Sequence, residues 1–157
     1  MSENEIFTRA LNLGPGWEVD NIVFHPEEKE LRIHIQTIRG SKFSCGICGM
    51  PDCRVYDHRK EREWRHMNFF QFRAVIVGQP PRVLCDECHK PKTAKIPWAR
   101  ERSGFSLYFE AFMVLLAKAM SMNEVSRLLG EHDTTLRCGR FYTTKSMRQS
   151  KNKPGKT

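Results

Sequence analysis

Four cysteines in two pairs, Cys45-Gly-Ile-Cys48 and Cys85-Asp-Glu-Cys88, constrain this chain more than any other feature. Thiolates two residues apart can grip one ion from a tight turn, and two such turns supply all four ligands of a tetrahedral zinc site. Gly46 and Gly49 suit the first turn, because a chain folding back over sulfur calls for positive φ. Four sulfur ligands leave no open position for water. The expectation is therefore one structural zinc ion, held by Cys45, Cys48, Cys85 and Cys88. A redox Cys-x-x-Cys usually comes singly on a βαβ unit, and no such unit is evident in this sequence.

The remaining composition narrows the class. With 157 residues, 39% of them hydrophobic, the chain fits one ordinary domain or two small ones, for which a metal staple helps. No apolar run approaches the roughly 18 residues of a membrane span. The N-terminus lacks the apolar core of a signal sequence. Six cysteines, four in knuckles, fit a reducing cytoplasm better than a disulfide framework. The net charge of +8 points to an acidic partner such as nucleic acid. Its placement is uneven: residues 136–157 hold seven Lys/Arg and no Asp/Glu, and residues 45–100 hold 11 basic against 6 acidic residues.

Residues 1–20 read as a leader with a short helical turn, broken at Leu13-Gly-Pro-Gly16. Ile22-Val-Phe24 and Leu31-Arg-Ile-His-Ile35 are strand-like and flank the turn His25-Pro-Glu-Glu28, which predicts a hairpin with Leu31, Ile33 and Ile35 on one face. The stretch Tyr56–His66 is dense in charge, and Arg54, Arg59, Lys60, Arg62 and Arg65 are candidates for phosphate contact, although three acidic residues interleave. Phe72–Val77, the turn Gly78-Gln-Pro-Pro81 and Arg82-Val-Leu84 read as a strand–turn–strand arm that returns the second knuckle to the first. Arg82 joins the candidate DNA contacts.

From Phe105 the period changes. Phe105, Phe109, Phe112, Leu116 and Ala119 recur at helical spacing, predicting a mostly buried helix of about four turns. Ser121-Met-Asn-Glu124 is a capping box opening a short helix, Met122 to Leu129, and Gly130 suits its left-handed end. Asp133 can cap a further helix at Thr134-Thr-Leu136. Two short helices around a Gly-containing turn match helix-turn-helix spacing, with Val125, Leu128, Leu129 and Leu136 as core and Thr134, Thr135 and Arg137 facing DNA. Gly139 then interrupts the recognition helix, and the tail from Lys145 has the composition of a disordered segment.

The order is α+β: a leader and hairpin (1–42), a small β zinc ribbon (43–97), a helix-turn-helix region (98–144) and a disordered basic tail (145–157). The residues Cys45-x-x-Cys48, Trp64-Arg-His-Met67, Pro81-Arg-Val-Leu-Cys85-x-x-Cys88, Pro97-Trp-Ala-Arg100, Gly104-Phe-Ser-Leu-Tyr-Phe-Glu110 and the Met122–Leu136 segment together resemble the N-terminal region of ISL-type insertion-sequence transposases. That resemblance implies a zinc ribbon and helix-turn-helix that hold the terminal inverted repeats of a transposable element, with a downstream DDE-class catalytic domain. No catalytic residue carries over, because the chain ends at Thr157. The basic tail after Leu136 departs from the family pattern in the way a frameshifted or truncated gene would.

The expected function is weak or nonspecific binding of double-stranded DNA by the front part of a transposase, without strand-transfer chemistry, in the cytoplasm and with a homo-oligomer open. The alternative is a stand-alone regulator or protein-interaction module. A zinc-deaminase reading of His25-Pro-Glu27 with Cys85-x-x-Cys88 fails, since Leu84 occupies the required proline position and Cys45/Cys48 go unexplained. Cys53 and Cys138 read as free thiols. His58 and His66 read as surface or phosphate-contacting rather than metal-bound, and His89 could substitute as a ligand only with a distorted knuckle.

Overall fold

The computed structural model describes residues 2–132; the expected recognition-helix residues Thr134, Thr135 and Arg137, Cys138 and the basic tail lie outside them. The chain divides into two compact units, residues 1–106 and 107–157.

In the first unit, Ser2 and Glu5 form a reciprocal capping box that opens α1 (Glu3–Ala10). The leader is thus a two-turn helix rather than a single turn, and Leu11 and Leu13 behind it are buried. Eight strands follow among the described residues: β1 (Trp17–His25), β2 (Glu30–Thr37), β3 (Lys42–Phe43), β4 (Cys53–His58), β5 (Arg62–Arg65), β6 (Arg73–Gly78), β7 (Pro81–Cys85) and β8 (Lys90–Thr93). They make two four-stranded sheets, in the orders β1-β2-β6-β5 and β3-β4-β7-β8.

The expected hairpin is β1–β2, with Leu31, Ile33 and Ile35 buried on one face. The expected arm is not a hairpin. β6 runs parallel to β2 and pairs with β5 in the first sheet, whereas β7 pairs with β4 and β8 in the second. The run Ala74-Val-Ile-Val77 is buried on both faces, as an unbroken apolar strand in a parallel pair should be. Gly78 is its last residue, and only glycine fits there, because a Cβ would lie 2.6 Å from Ile35 Cγ1. Pro80 and Pro81, both buried, carry the chain across to the other sheet. This interleaving also corrects the division at residues 42/43. The hairpin of the first piece and β5–β6 of the second share one sheet, so residues 1–42 and 43–97 do not fold as successive modules.

Aromatic side chains join the sheets. Trp17 meets Phe43 at 5.2 Å and Trp98 edge-on at 4.7 Å, and Trp98 meets Trp64 edge-on at 5.5 Å. Trp64 and Trp98 are buried, and neither indole N–H has a hydrogen-bond acceptor.

In the second unit, α2 is Leu107–Ala119 and buries Phe109, Glu110 and Met113; of the expected line Phe105 and Phe109 are buried, whereas Phe112 and Leu116 are half-buried and Ala119 is exposed. Helix α3 spans Met122–Leu129, the predicted limits. Its Ser121–Glu124 capping box is formed, and Gly130 closes it at φ +66°. Val125 and Leu129 are buried as expected, but Leu128 is 59% exposed and is not core.

Candidate metal centre and the basic surface around it

The two knuckles are built alike. In the first, Gly49 N–H donates to Cys45 O at 3.0 Å; in the second, His89 N–H donates to Cys85 O at 2.9 Å. Each turn closes through a left-handed residue, Gly49 at φ +80° and His89 at φ +52°. Gly46 has a different reason from the one its spacing suggests. Its φ is not positive; instead a Cβ would stand 2.6 Å from the Thr93 carbonyl oxygen, which accepts the Gly46 N–H at 3.0 Å. The pairing of Cys45 with Ala94, just beyond β8, brings the knuckles together.

The four Sγ atoms lie within 4.8 Å of one another, with Cys48–Cys85 at 3.3 Å and Cys45–Cys88 at 3.9 Å. Tetrahedral zinc with bonds of about 2.3 Å needs sulfurs about 3.8 Å apart, so the set fits the ion. Burial pushes the Cys45 thiol up, but the backbone N–H groups of Cys48 and Ile47 aimed at its sulfur outweigh this and bring it to about 7. Hydrogen bonding to the Cys48 sulfur, with burial second, pushes Cys88 up to about 12. Zinc binding must therefore release protons, and affinity must fall as pH falls. Cys53 is buried nearby with its thiol on Met50 O at 3.3 Å, and it lies outside the four-sulfur cluster.

The candidate DNA contacts separate. Arg59 and Lys60 are exposed, and Arg59 donates to Thr93 Oγ1 at 3.1 Å. Arg62 is half-buried, donates to Ser103 O at 3.1 Å and stacks over Trp64 at 5.2 Å. Arg65 is a correction. It is 4% exposed, with its guanidinium donating to His66 O, Ala74 O and Asn68 Oδ1, so it supports the core and offers nothing to phosphate. Its alternation in β5 puts Trp64 and Arg65 both inside, which no period-two reading anticipates. Arg82 is paired through two hydrogen bonds with Asp57 and lies over the Tyr56 ring at 5.9 Å. The pairing holds the Asp57 carboxyl below its usual range. Next to His66, burial and then the Arg65 charge hold the imidazole down to about 4, so it is neutral, with Nδ1 2.7 Å from Ser106 Oγ.

Sequence comparison gives the same two modules. The family model for the zinc-finger of transposase IS204/IS1001/IS1096/IS1165 matches residues 41–88. The model for the helix-turn-helix domain of transposase family ISL3 matches residues 94–137. The transposases for insertion sequence element IS1557 of Mycobacterium tuberculosis strains CDC 1551 / Oshkosh and H37Rv are each 31% identical over 86 residues, covering 54% of this chain and 19% of the relative. The match thus spans about a fifth of those transposases. No solved structure matches. Through its zinc-ribbon and helix-turn-helix segments the chain belongs to the ISL-type insertion-sequence transposases, as their N-terminal region.

Proposed function

We propose that this chain is a zinc-stabilised DNA-binding module of a transposase, acting in the cytoplasm on the duplex ends of an insertion element. The supporting observation is the four-sulfur cluster inside the segment matched by the transposase zinc-finger model, with the capped helix α3 inside the segment matched by the helix-turn-helix model. The zinc is structural in this reading, one per chain, since its ligands fill the coordination sphere. Binding is carried mostly by Lys/Arg contacts to phosphate and is therefore steeply salt-dependent and only weakly sequence-selective. No strand-transfer chemistry is assigned to these residues. No helix among the described residues is long and apolar enough to cross a membrane.

The test is metal content and duplex affinity measured on one sample across a salt series. One zinc per chain with a steep slope is the expected result. One zinc without duplex affinity would refute DNA binding and favour a ribbon that docks protein. A folded, zinc-free chain would refute the stabilising role.

A further inference from the structure

Residues opposite one another in a sheet share a face, and in the second sheet one such row is Lys42, Arg54, Leu84 and Pro91. The next row on the same face pairs Arg82 with Thr93. The opposite face carries Phe43, Cys53, Val83 and Cys85, all buried. The outer face is therefore the solvent side of the metal-bearing sheet. Lys42 and Arg54 are exposed and adjacent across β3–β4, and Arg59 joins them at the far row through Thr93. Its only acidic member in these rows, Asp57, is already neutralised by Arg82. Tyr56, 61% exposed, lies on β4 between Arg54 and Arg59 in the chain, and Leu84, 50% exposed, stands opposite Arg54 in the row.

We propose that this outer face of the second sheet, centred on Lys42 and Arg54, is the surface that the ribbon lays on duplex DNA. The inference rests on the DNA-binding reading above and makes it specific. Exposed cations on a sheet, with an aromatic ring and an apolar side chain beside them, fit a phosphate backbone beside a groove. The face complements a polyanion in charge. Of the Tyr56–His66 segment the face keeps Tyr56 and Arg59 and leaves out Arg62 and Arg65, which are turned to other partners.

The full-length chain is compared with K42A/R54A and with an R32A/R73A control, whose cations sit on the first sheet beside Glu30. Zinc content and melting temperature establish that each variant is folded. Each phosphate contact contributes about 0.9 to the salt slope, or about eightfold at 0.1 M salt. K42A/R54A should therefore bind a 30-base-pair duplex about 60-fold more weakly at 0.1 M salt, with a slope shallower by about 2. The control should keep most of both. A wild type that binds while folded K42A/R54A matches it in affinity and slope would overturn the assignment and leave the DNA-binding reading standing. A wild type with no duplex affinity would overturn both. Self-association in sedimentation that K42A/R54A abolishes, with duplex affinity unchanged, would overturn it and give the face to a second copy of the chain.

Discussion

Replacing Gly46 by alanine tests the account of the metal centre most directly. The added Cβ would lie 2.6 Å from the Thr93 oxygen. An ordinary close C···O contact is about 3.3 Å, so one side must retreat by about 0.7 Å. The Thr93 carbonyl has little room to do so, because Ala94 N–H is held by Pro81 O at 2.9 Å and Lys95 N–H by Ser44 O at 2.9 Å. Overpacking of this kind costs about 1–3 kcal/mol, and weakening the Gly46–Thr93 hydrogen bond adds about 1 kcal/mol. Because forming the site and binding the metal are one process, a loss of about 2–4 kcal/mol appears as about 30- to 900-fold weaker zinc binding. Chelator competition at fixed pH reads this. The companion change Gly49→Ala meets nothing within 4 Å and suffers only from its φ of +80°. It should cost about 1 kcal/mol, or about fivefold in zinc affinity. Asparagine tolerates left-handed backbone, so it should restore function at position 49 and fail at position 46. Zinc affinity within twofold of wild type for Gly46→Ala, or rescue by Gly46→Asn, would refute the close-approach explanation.

Three further outcomes follow from the same geometry. His66 is neutral in the fold, with a pKa of about 4 against an ordinary 6.5. Its contribution is complete above pH 6.5 and is lost as pH falls toward 4, amounting to about 2 kcal/mol by pH 5. The stability difference between wild type and His66→Gln should therefore shrink by about that much between pH 7 and pH 5 in paired denaturant titrations, and a constant difference would show that the imidazole is not held neutral. Arg65→Ala removes a buried guanidinium together with its bonds to Ala74 O and Asn68 and leaves a cavity in its place, so it should lower unfolding free energy by about 3 kcal/mol, where a mere DNA contact would leave melting unchanged. Cys53→Ser should keep one zinc per chain by elemental analysis at a stability cost of about 1 kcal/mol, and loss of the metal would make Cys53 a ligand.

Features set by neighbours along the chain were legible in the amino-acid sequence. The cysteine spacing announces the metal ligands, because two residues are the reach of one turn over one ion. The Ser121–Glu124 box and Gly130 set both ends of α3, because capping is satisfied within four residues. The alternation in Leu31–Ile35 marks a half-buried strand for the same local reason. Which strand pairs with which was not legible. β6 and β7 are separated by two residues and look like a hairpin, yet their partners come from β2 and β4, and only tertiary pairing settles that choice. The fates of the basic residues follow from it. Arg62 and Arg65 belong to one charged run with Arg59, but β5 enters the first sheet and turns Arg65 inward, while β4 leaves Arg54 on the outside of the second. Lys42 gives no signal of its own, being one lysine before a phenylalanine, until β3 places it opposite Arg54. The sequence by itself determined the two cysteine knuckles and the helix ends, because the partners within each lie within a few residues. The tertiary structure decided which cations are surface and which are core, because that depends on sheet neighbours distant in the chain.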